Sequence, residues 1–196
     1  QYRVPAMLLA DGALGQMMEP VSFPDEEKEV SLPEKPWAAT GTGGKRKPNI
    51  INSLFLQPNV LEQSVRSRFE RYAQIEKNEV LYEDYMTEDA DVILVAYGVT
   101  SRICKTSIKE ARAQGIKVGM IRPITLWPFP TDIIAKRAAS CKAFLSVEMS
   151  MGQMVQDVRL AVNGACPVHF FGHTGGVIPT PNEVFEEIKA IAGGER

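Results

Sequence analysis

The sequence predicts an α/β fold built on an open, mostly parallel sheet with helices on both faces. Three observations carry that expectation. Val92 to Ala96 is a continuous apolar run rich in β-branched residues and ends at Gly98, the pattern of a strand covered on both faces. A helical pattern follows, with Ile103, Cys104, Ile108 and Ala111 on one side, Thr100 or Ser101 placed to cap its start and Gly115 behind its end. Ile116 to Ile121 then reads as a second strand. Strand, crossover helix and strand in so short a span make a right-handed βαβ unit, which commits the domain to layered α/β architecture.

Upstream of that unit the pattern is less regular. Val4 to Ala10 is an apolar, strand-like run that ends in the turn signal Asp11-Gly12. A strand of this kind needs sheet neighbours, and the adjoining stretch offers none, because there Pro20, Pro24, Pro33 and Pro36 flank the acidic run Asp25 to Glu29. Residues 1 to 22 are therefore expected to be the last strand and exit of a preceding domain, the alternative being an added edge strand of the main sheet. Because the first residue is Gln1, the chain reads as a piece of a longer polypeptide. Residues 23 to 56 read as a linker containing a Gly/Lys-rich loop, and 57 to 196 as the main domain with a long leading helix.

That loop, Gly41, Gly43, Gly44, Lys45, Arg46 and Lys47, offers backbone N–H groups and cations to an anion, or serves as a mobile or interface loop. It is no Walker loop, since Ala39 stands where the first glycine should be and Arg46 where Ser or Thr should hold magnesium. From Gln57 to about Glu83, Leu61, Val65, Phe69, Tyr72 and Ile75 recur at helical spacing among Glu62, Arg66, Arg68 and Arg71, which predicts a long amphipathic helix with a solvated, ion-paired face.

Downstream of the βαβ unit, the prolines of Pro123 to Pro130 forbid a regular element, and Trp127 and Phe129 are expected to anchor this loop on the sheet. Thr131 or Asp132 is placed to cap a short helix through Ala139. Ala143 to Glu148 reads as a third strand. A helix from Gln153 to Asn163 should bury Met154, Val155, Val158, Leu160, Ala161 and Val162. Pro167 to Gly172 reads as a fourth strand, and the last helix starts near Thr180 or Asn182 with Pro181, burying Val184, Phe185, Ile188 and Ile191.

Composition narrows the function classes. The chain has 196 residues, 44% hydrophobic and 23% charged, with a formal net charge of -2, a balance that argues against nucleic acid or a membrane surface as partner. No apolar run approaches the roughly 18 residues of a membrane span. Cys104, Cys141 and Cys166 are far apart in sequence, which disfavours a disulfide framework, a zinc site or an iron–sulfur site and suits reduced thiols in a cytoplasm. His169 and His173 lack a third ligand nearby, so no metal site is expected.

In open parallel sheets ligands and partners gather at the carboxyl ends of the strands. Arg122, Thr125, Glu148, Gln153, Gly175 and Gly176 fall there and are the interface candidates. Glu148 is either a general base or the cap of the following helix. Gly98-Val-Thr-Ser is a helix start able to receive an anion, without a dinucleotide fingerprint. No complete catalytic set emerges from the residues.

Several ordered stretches resemble one family: Leu-Ala-Asp-Gly-Ala-Leu-Gly at 9 to 15, Trp-Ala-Ala-Thr-Gly-Thr at 37 to 42, Ile-Arg-Pro-Ile-Thr-Leu-Trp-Pro-Phe-Pro at 121 to 130, Val-Glu-Met-Ser-Met-Gly-Gln-Met at 147 to 154, and Thr-Gly-Gly-Val-Ile-Pro-Thr-Pro at 174 to 181. Together they resemble the C-terminal half of the α-type subunit of 2-oxoacid:ferredoxin oxidoreductases, most of all the 2-ketoisovalerate type. The resemblance implies that residues 1 to 22 end a pyrimidine-binding domain and that the rest is a transketolase C-terminal-like domain. It further implies a complex holding thiamine diphosphate, magnesium and iron–sulfur clusters, with a thiamine-diphosphate-binding β subunit, other subunits and, indirectly, ferredoxin as partners.

The implied reaction converts a 2-oxoacid, CoA and oxidised ferredoxin to acyl-CoA, carbon dioxide and reduced ferredoxin, with the hard chemistry supplied by the cofactors. No family catalytic residue can be placed on this chain. It is expected to be a structural and assembly segment, inactive when isolated and binding none of these cofactors alone. The rival reading is a stand-alone α/β module that binds an anion or CoA through the 41 to 47 loop.

Overall fold

The computed structural model describes residues 1–23 and 31–195, so the acidic run at 25–29 lies outside the described residues. The elements are α1 (Gly12–Gln16), α2 (Pro58–Asn78), β1 (Tyr82–Tyr85), β2 (Val92–Val95), α3 (Gly98–Ala113), β3 (Val118–Pro123), α4 (Thr131–Ala138), β4 (Ala143–Glu148), α5 (Met154–Val162), β5 (Val168–Gly172) and α6 (Pro181–Gly193). They divide between two units, one of residues 1–7 and 18–74, the other of residues 8–17 and 75 onward.

The second unit is the layered α/β domain that the apolar runs predict. Its sheet has the order β1-β3-β2-β4-β5. β2 lies between β3 and β4 and pairs in parallel with both, Val92 opposite Val118 on one side and Ala143 on the other. All four of its residues are buried, which is why it reads as an unbroken apolar run.

Strand alternation then sorts the core into two layers. Val92, Leu94, Val118, Met120, Leu145 and Val147 face α3 and α6 and pack on Cys104, Ile108, Val184 and Ile188. Ile93, Val95, Ile121 and Phe144 face α4 and α5 and pack on Ile134, Met154 and Val158. Ile93, Leu94, Met120, Phe144 and Leu145 are each worth roughly 1.5–3 kcal/mol of burial, so this double layer is the main source of the domain's stability.

The fifth strand was not legible. The predicted helix from Gln57 to Glu83 ends at Asn78, and Tyr82–Tyr85 leaves it to pair antiparallel with β3, Glu83 opposite Arg122. Ladder bonds and the ion pairs of Glu83 with Lys105 (2.6 Å) and Arg122 (3.1 Å) override the local helical pattern. Arg112 fastens the turn behind β1, donating to the Val118 and Met86 carbonyls and to Asp89.

Other expectations need correction. Val4 to Ala10 does not add an edge strand to the main sheet and is not in strand among the described residues, and Met7, Leu8 and Leu9 are exposed. Leu160 is 78% exposed although α5 otherwise buries the expected residues. Neither Thr131 nor Asp132 caps α4, whose N-cap is Pro130. Trp127 is 53% exposed, and it is Phe129, between the buried Pro128 and Pro130, that packs on the α4–α5 layer. The last helix follows its sequence closely, with Thr180 accepting from Glu183 N–H in a capping box and Pro181 at the start.

The first unit has no strand and no buried residue among those described. Arg3 lies over the Trp37 ring at 4.2 Å. The part of α2 within this unit, through Gln74, leaves Leu61 and Phe69 exposed and carries the Glu62–Arg66 pair on its surface at 2.6 Å. Among the described residues no helix is long and apolar enough to cross a membrane.

Candidate functional site

At the carboxyl edge of the parallel strands, two helix starts come together with the loops that follow β3, β4 and β5. A helix start exposes unpaired N–H groups and a partial positive charge, so it is where an anion would settle. Both starts already hold one, and each comes from this chain.

The α3 start lacks a cap of its own, since its N-cap residue is Tyr97. Thr100 and Ser101, the expected caps, lie inside the first turn and donate back to the carbonyls of Tyr97 and Gly98 at 2.7 Å. The cap is Asp11. Its Oδ2 accepts from Val99 N–H at 3.0 Å while Oδ1 accepts from Leu14 N–H at 2.8 Å, so one carboxylate closes α3 and α1 together. Gly98 makes room for it: a Cβ at that position would stand 2.6 Å from Asp11 Oδ2, and its φ of +60° is one that side chains disfavour.

The α5 start repeats the arrangement. Glu148, at the end of β4 and 4% exposed, accepts from the N–H groups of Gln153, Met154 and Val155 at 2.8 to 3.0 Å. The hydroxyls of Ser146 and Ser150 donate to the same carboxylate at 3.0 and 2.9 Å. Burial opposes its ionisation, but the Gln153 and Val155 N–H groups and the Ser150 and Ser146 hydroxyls outweigh it and lower its pKa. A carboxylate so enclosed is an internal cap, with neither the raised pKa of a general base nor the access of an interface residue.

The phenol of Tyr97, on a side chain 38% exposed beside these groups, is raised by burial and then by the charges of Glu148 and Asp11. It is no nucleophile near neutrality.

The remaining candidates divide. Thr125 Oγ1 accepts from Leu81 N–H at 3.0 Å and donates to the Pro128 carbonyl at 2.8 Å, pinning the β3–α4 loop to the approach of β1. Arg122 pairs with Glu83, whose carboxyl is lowered by Lys105 foremost and then by Arg122, against burial. Gln153, Gly175 and Gly176 are exposed at the edge. Beside the β3–α4 loop opens a cavity of ≈ 750 Å³ whose walls include Lys77, Val80, Trp127, Phe129 and Asp132. Met151, Val177 and Ile178 are also exposed on the edge loops.

In the first unit, Gly41, Gly43 and Gly44 adopt positive φ, and the loop turns on Lys45 N–H to the Thr42 carbonyl, 3.0 Å. Arg46 folds back on the carbonyls of Ala38 and Lys47, so its guanidinium is not aimed at a ligand beside Lys45 and Lys47. Among the described residues there is no group of three His, Cys, Asp or Glu able to hold a metal ion.

Sequence reasoning missed two juxtapositions. Asp11 was legible only as a turn residue, because its partner Val99 is 88 residues away. Cys141 and Cys166, remote in sequence, meet with their sulfurs 3.8 Å apart.

Comparison with known proteins places this geometry. Residues 90–184 match the family described as pyruvate:ferredoxin oxidoreductase core domain II. The chain is 44% identical over 193 residues to the ketoisovalerate oxidoreductase subunit VorB of Methanothermobacter thermautotrophicus, an alignment covering 98% of this chain and 54% of that protein. It is 30% identical over 218 residues to the 2-oxoglutarate synthase subunit KorA of Methanothermobacter marburgensis, covering 97% of this chain and 57% of the other. Among solved structures, a 2-oxoglutarate:ferredoxin oxidoreductase from Magnetococcus marinus, with 2-oxoglutarate, coenzyme A and succinyl-CoA bound, superimposes with a TM-score of 0.67 at 23% identity. That match covers 79% of this chain and 28% of the other, and shares the fold. The chain thus spans about half the length of the curated relatives it matches.

Proposed function

We propose that this chain belongs with the subunits of 2-oxoacid:ferredoxin oxidoreductases and forms part of a CoA-acylating enzyme acting on a branched-chain 2-oxoacid. The reaction would convert 2-oxoacid, CoA and oxidised ferredoxin to acyl-CoA, carbon dioxide and reduced ferredoxin. The observation that carries the substrate class is the 44% identity to a ketoisovalerate oxidoreductase subunit along 98% of the chain, against 30% to the 2-oxoglutarate subunit.

Within that enzyme the chain is a structural and assembly segment of a cytoplasmic complex. Its two anion-receptive helix starts are filled by Asp11 and Glu148, and among the described residues no nucleophile stands beside a general base at the carboxyl edge. Thiamine diphosphate would supply the carbanion chemistry and iron–sulfur clusters the electron path, but the described residues do not fit either group. A magnesium–diphosphate site needs free oxygen ligands gathered together, and a cluster needs about four thiolates. We therefore assign these cofactors to other parts of the complex, with a thiamine-diphosphate-binding β subunit as the main partner and ferredoxin an indirect one. Residues 1 to 22 and 23 to 56 are read as the exit and linker that join this domain to the rest.

The test is reconstitution. The chain within its complete subunit, co-expressed with the β and accessory subunits, is expected to reduce viologen with 2-ketoisovalerate and CoA in preference to 2-oxoglutarate. The isolated chain is expected to show no turnover. Activity of the isolated chain overturns the assembly role, and preference for 2-oxoglutarate overturns the substrate class. Stoichiometric CoA binding by the isolated chain would favour the stand-alone binding module instead.

A further inference from the structure

Cys141 precedes β4 and Cys166 precedes β5, and the two thiols, 25 residues apart in sequence, stand at an Sγ···Sγ distance of 3.8 Å. Parallel pairing brings this about. Phe144 lies opposite Val168, and carrying that register back two residues sets Cys166 opposite Lys142, one residue from Cys141. Residues offset by one on neighbouring strands have Cα atoms roughly 6 Å apart, within the span a disulfide bridges. Both thiols are free and partly exposed, whereas Cys104 is buried beneath the sheet.

We propose that Cys141 and Cys166 are a modification site for low-molecular-weight disulfides of the glutathione class, which oxidise the pair to an intramolecular disulfide joining the starts of β4 and β5. The thiolate of one cysteine attacks the reagent's S–S bond, forming a mixed disulfide and releasing one thiolate of the reagent. The second cysteine then attacks the protein sulfur of that mixed disulfide and displaces the other half of the reagent. One S–S bond breaks in the reagent and one forms in the protein. Two electrons pass from the protein thiols to the reagent, and the two thiol protons end on the two small thiols.

Geometry favours the second step, because the resolving sulfur is already in contact. Burial slows the first, since it raises both thiols, Cys141 to about 12, and the thiolate is the attacking form. The site lies at the amino ends of the strands, away from the carboxyl edge that holds Asp11 and Glu148, so bridging leaves both caps in place.

The test incubates the folded chain with oxidised glutathione at about pH 8.5, where thiolate is more abundant, then quenches with an alkylating agent under denaturing conditions and maps the peptides. The expected result is a Cys141–Cys166 cross-linked peptide and loss of two of the three alkylatable thiols, restored by dithiothreitol. Cys141→Ser and Cys166→Ser should each leave a glutathione adduct on the surviving partner, while Cys104→Ser still bridges. The proposal is overturned if the native chain accumulates stable adducts on both cysteines. It is equally overturned if the bridge joins two chains, or if neither thiol is consumed while the urea-unfolded chain reacts.

Discussion

Asp11 Oδ2 accepts a hydrogen bond from Val99 N–H at 3.0 Å, so the α3 helix is capped by a residue 88 positions upstream. The other oxygen of the same carboxylate closes α1. Asp11→Ala therefore removes two caps at once and is expected to cost about 2 kcal/mol in urea unfolding, with Asp11→Asn milder because it keeps one acceptor. A loss below about 0.5 kcal/mol would show that water replaces the carboxylate at both helices.

Gly98→Ala introduces a Cβ 2.6 Å from that carboxylate on backbone with φ +60°. The expected destabilisation is roughly 1–2 kcal/mol from the left-handed backbone plus a contribution from the contact. In the double variant with Asp11→Ala the contact contribution disappears while the backbone one stays, so the two changes should be less than additive. Strict additivity in a double-mutant cycle would contradict the close approach.

Much of the domain was legible because burial leaves a local signature. Val92 to Ala96 is apolar throughout because both faces of β2 are covered, and Thr180 or Asn182 with Pro181, followed by the spacing of Val184, Phe185, Ile188 and Ile191, announces α6. What failed needed information from elsewhere in the chain. Tyr82 to Tyr85 alternates too briefly to announce β1, and its strand character comes from β3 beside it. Leu160 falls on a periodic apolar stripe yet lies outside it in space. The site followed the same division: Glu148 could be read as a cap because its helix is adjacent, whereas Asp11 could not.

Glu148 makes stability depend on pH in one direction. Its lowered folded pKa means that the ionised carboxylate stabilises the native state fully above the ordinary glutamate range, and that this contribution is lost as pH falls through the lowered value. Thermal unfolding followed from pH 7 down to pH 3 should show a steeper decline for the native sequence than for Glu148→Gln. Glu148→Ala leaves three N–H groups without their acceptor, those of Met154 and Val155 buried, and is expected to cost about 3 kcal/mol at pH 7. Parallel pH profiles for the native and Gln chains would refute this account.

Leu160 and Ile188 are both large aliphatic residues on helices, and their surroundings predict opposite outcomes. Ile188→Ala empties a fully buried position between α6 and the sheet and should cost about 2–5 kcal/mol, whereas Leu160→Gln, at a 78% exposed site, should fall within about 0.5 kcal/mol. Chemical denaturation of the two variants decides it. A loss above 1.5 kcal/mol at Leu160, roughly the lower bound for an engaged core side chain, would mean that its surface is covered.

The antiparallel β1 gives the sheet two unlike margins. On the β1 side, Glu83 is tied to Lys105 and Arg122 and Asp84 to Arg137, so a newcomer strand would meet fixed charges on both faces of the ladder. On the β5 side, the last strand among those described runs Val-His-Phe-Phe-Gly, half-buried along its length, with His169 its one ionisable residue. An added strand would thus meet fixed charges at one margin and the uncharged aromatic pair Phe170 and Phe171 at the other.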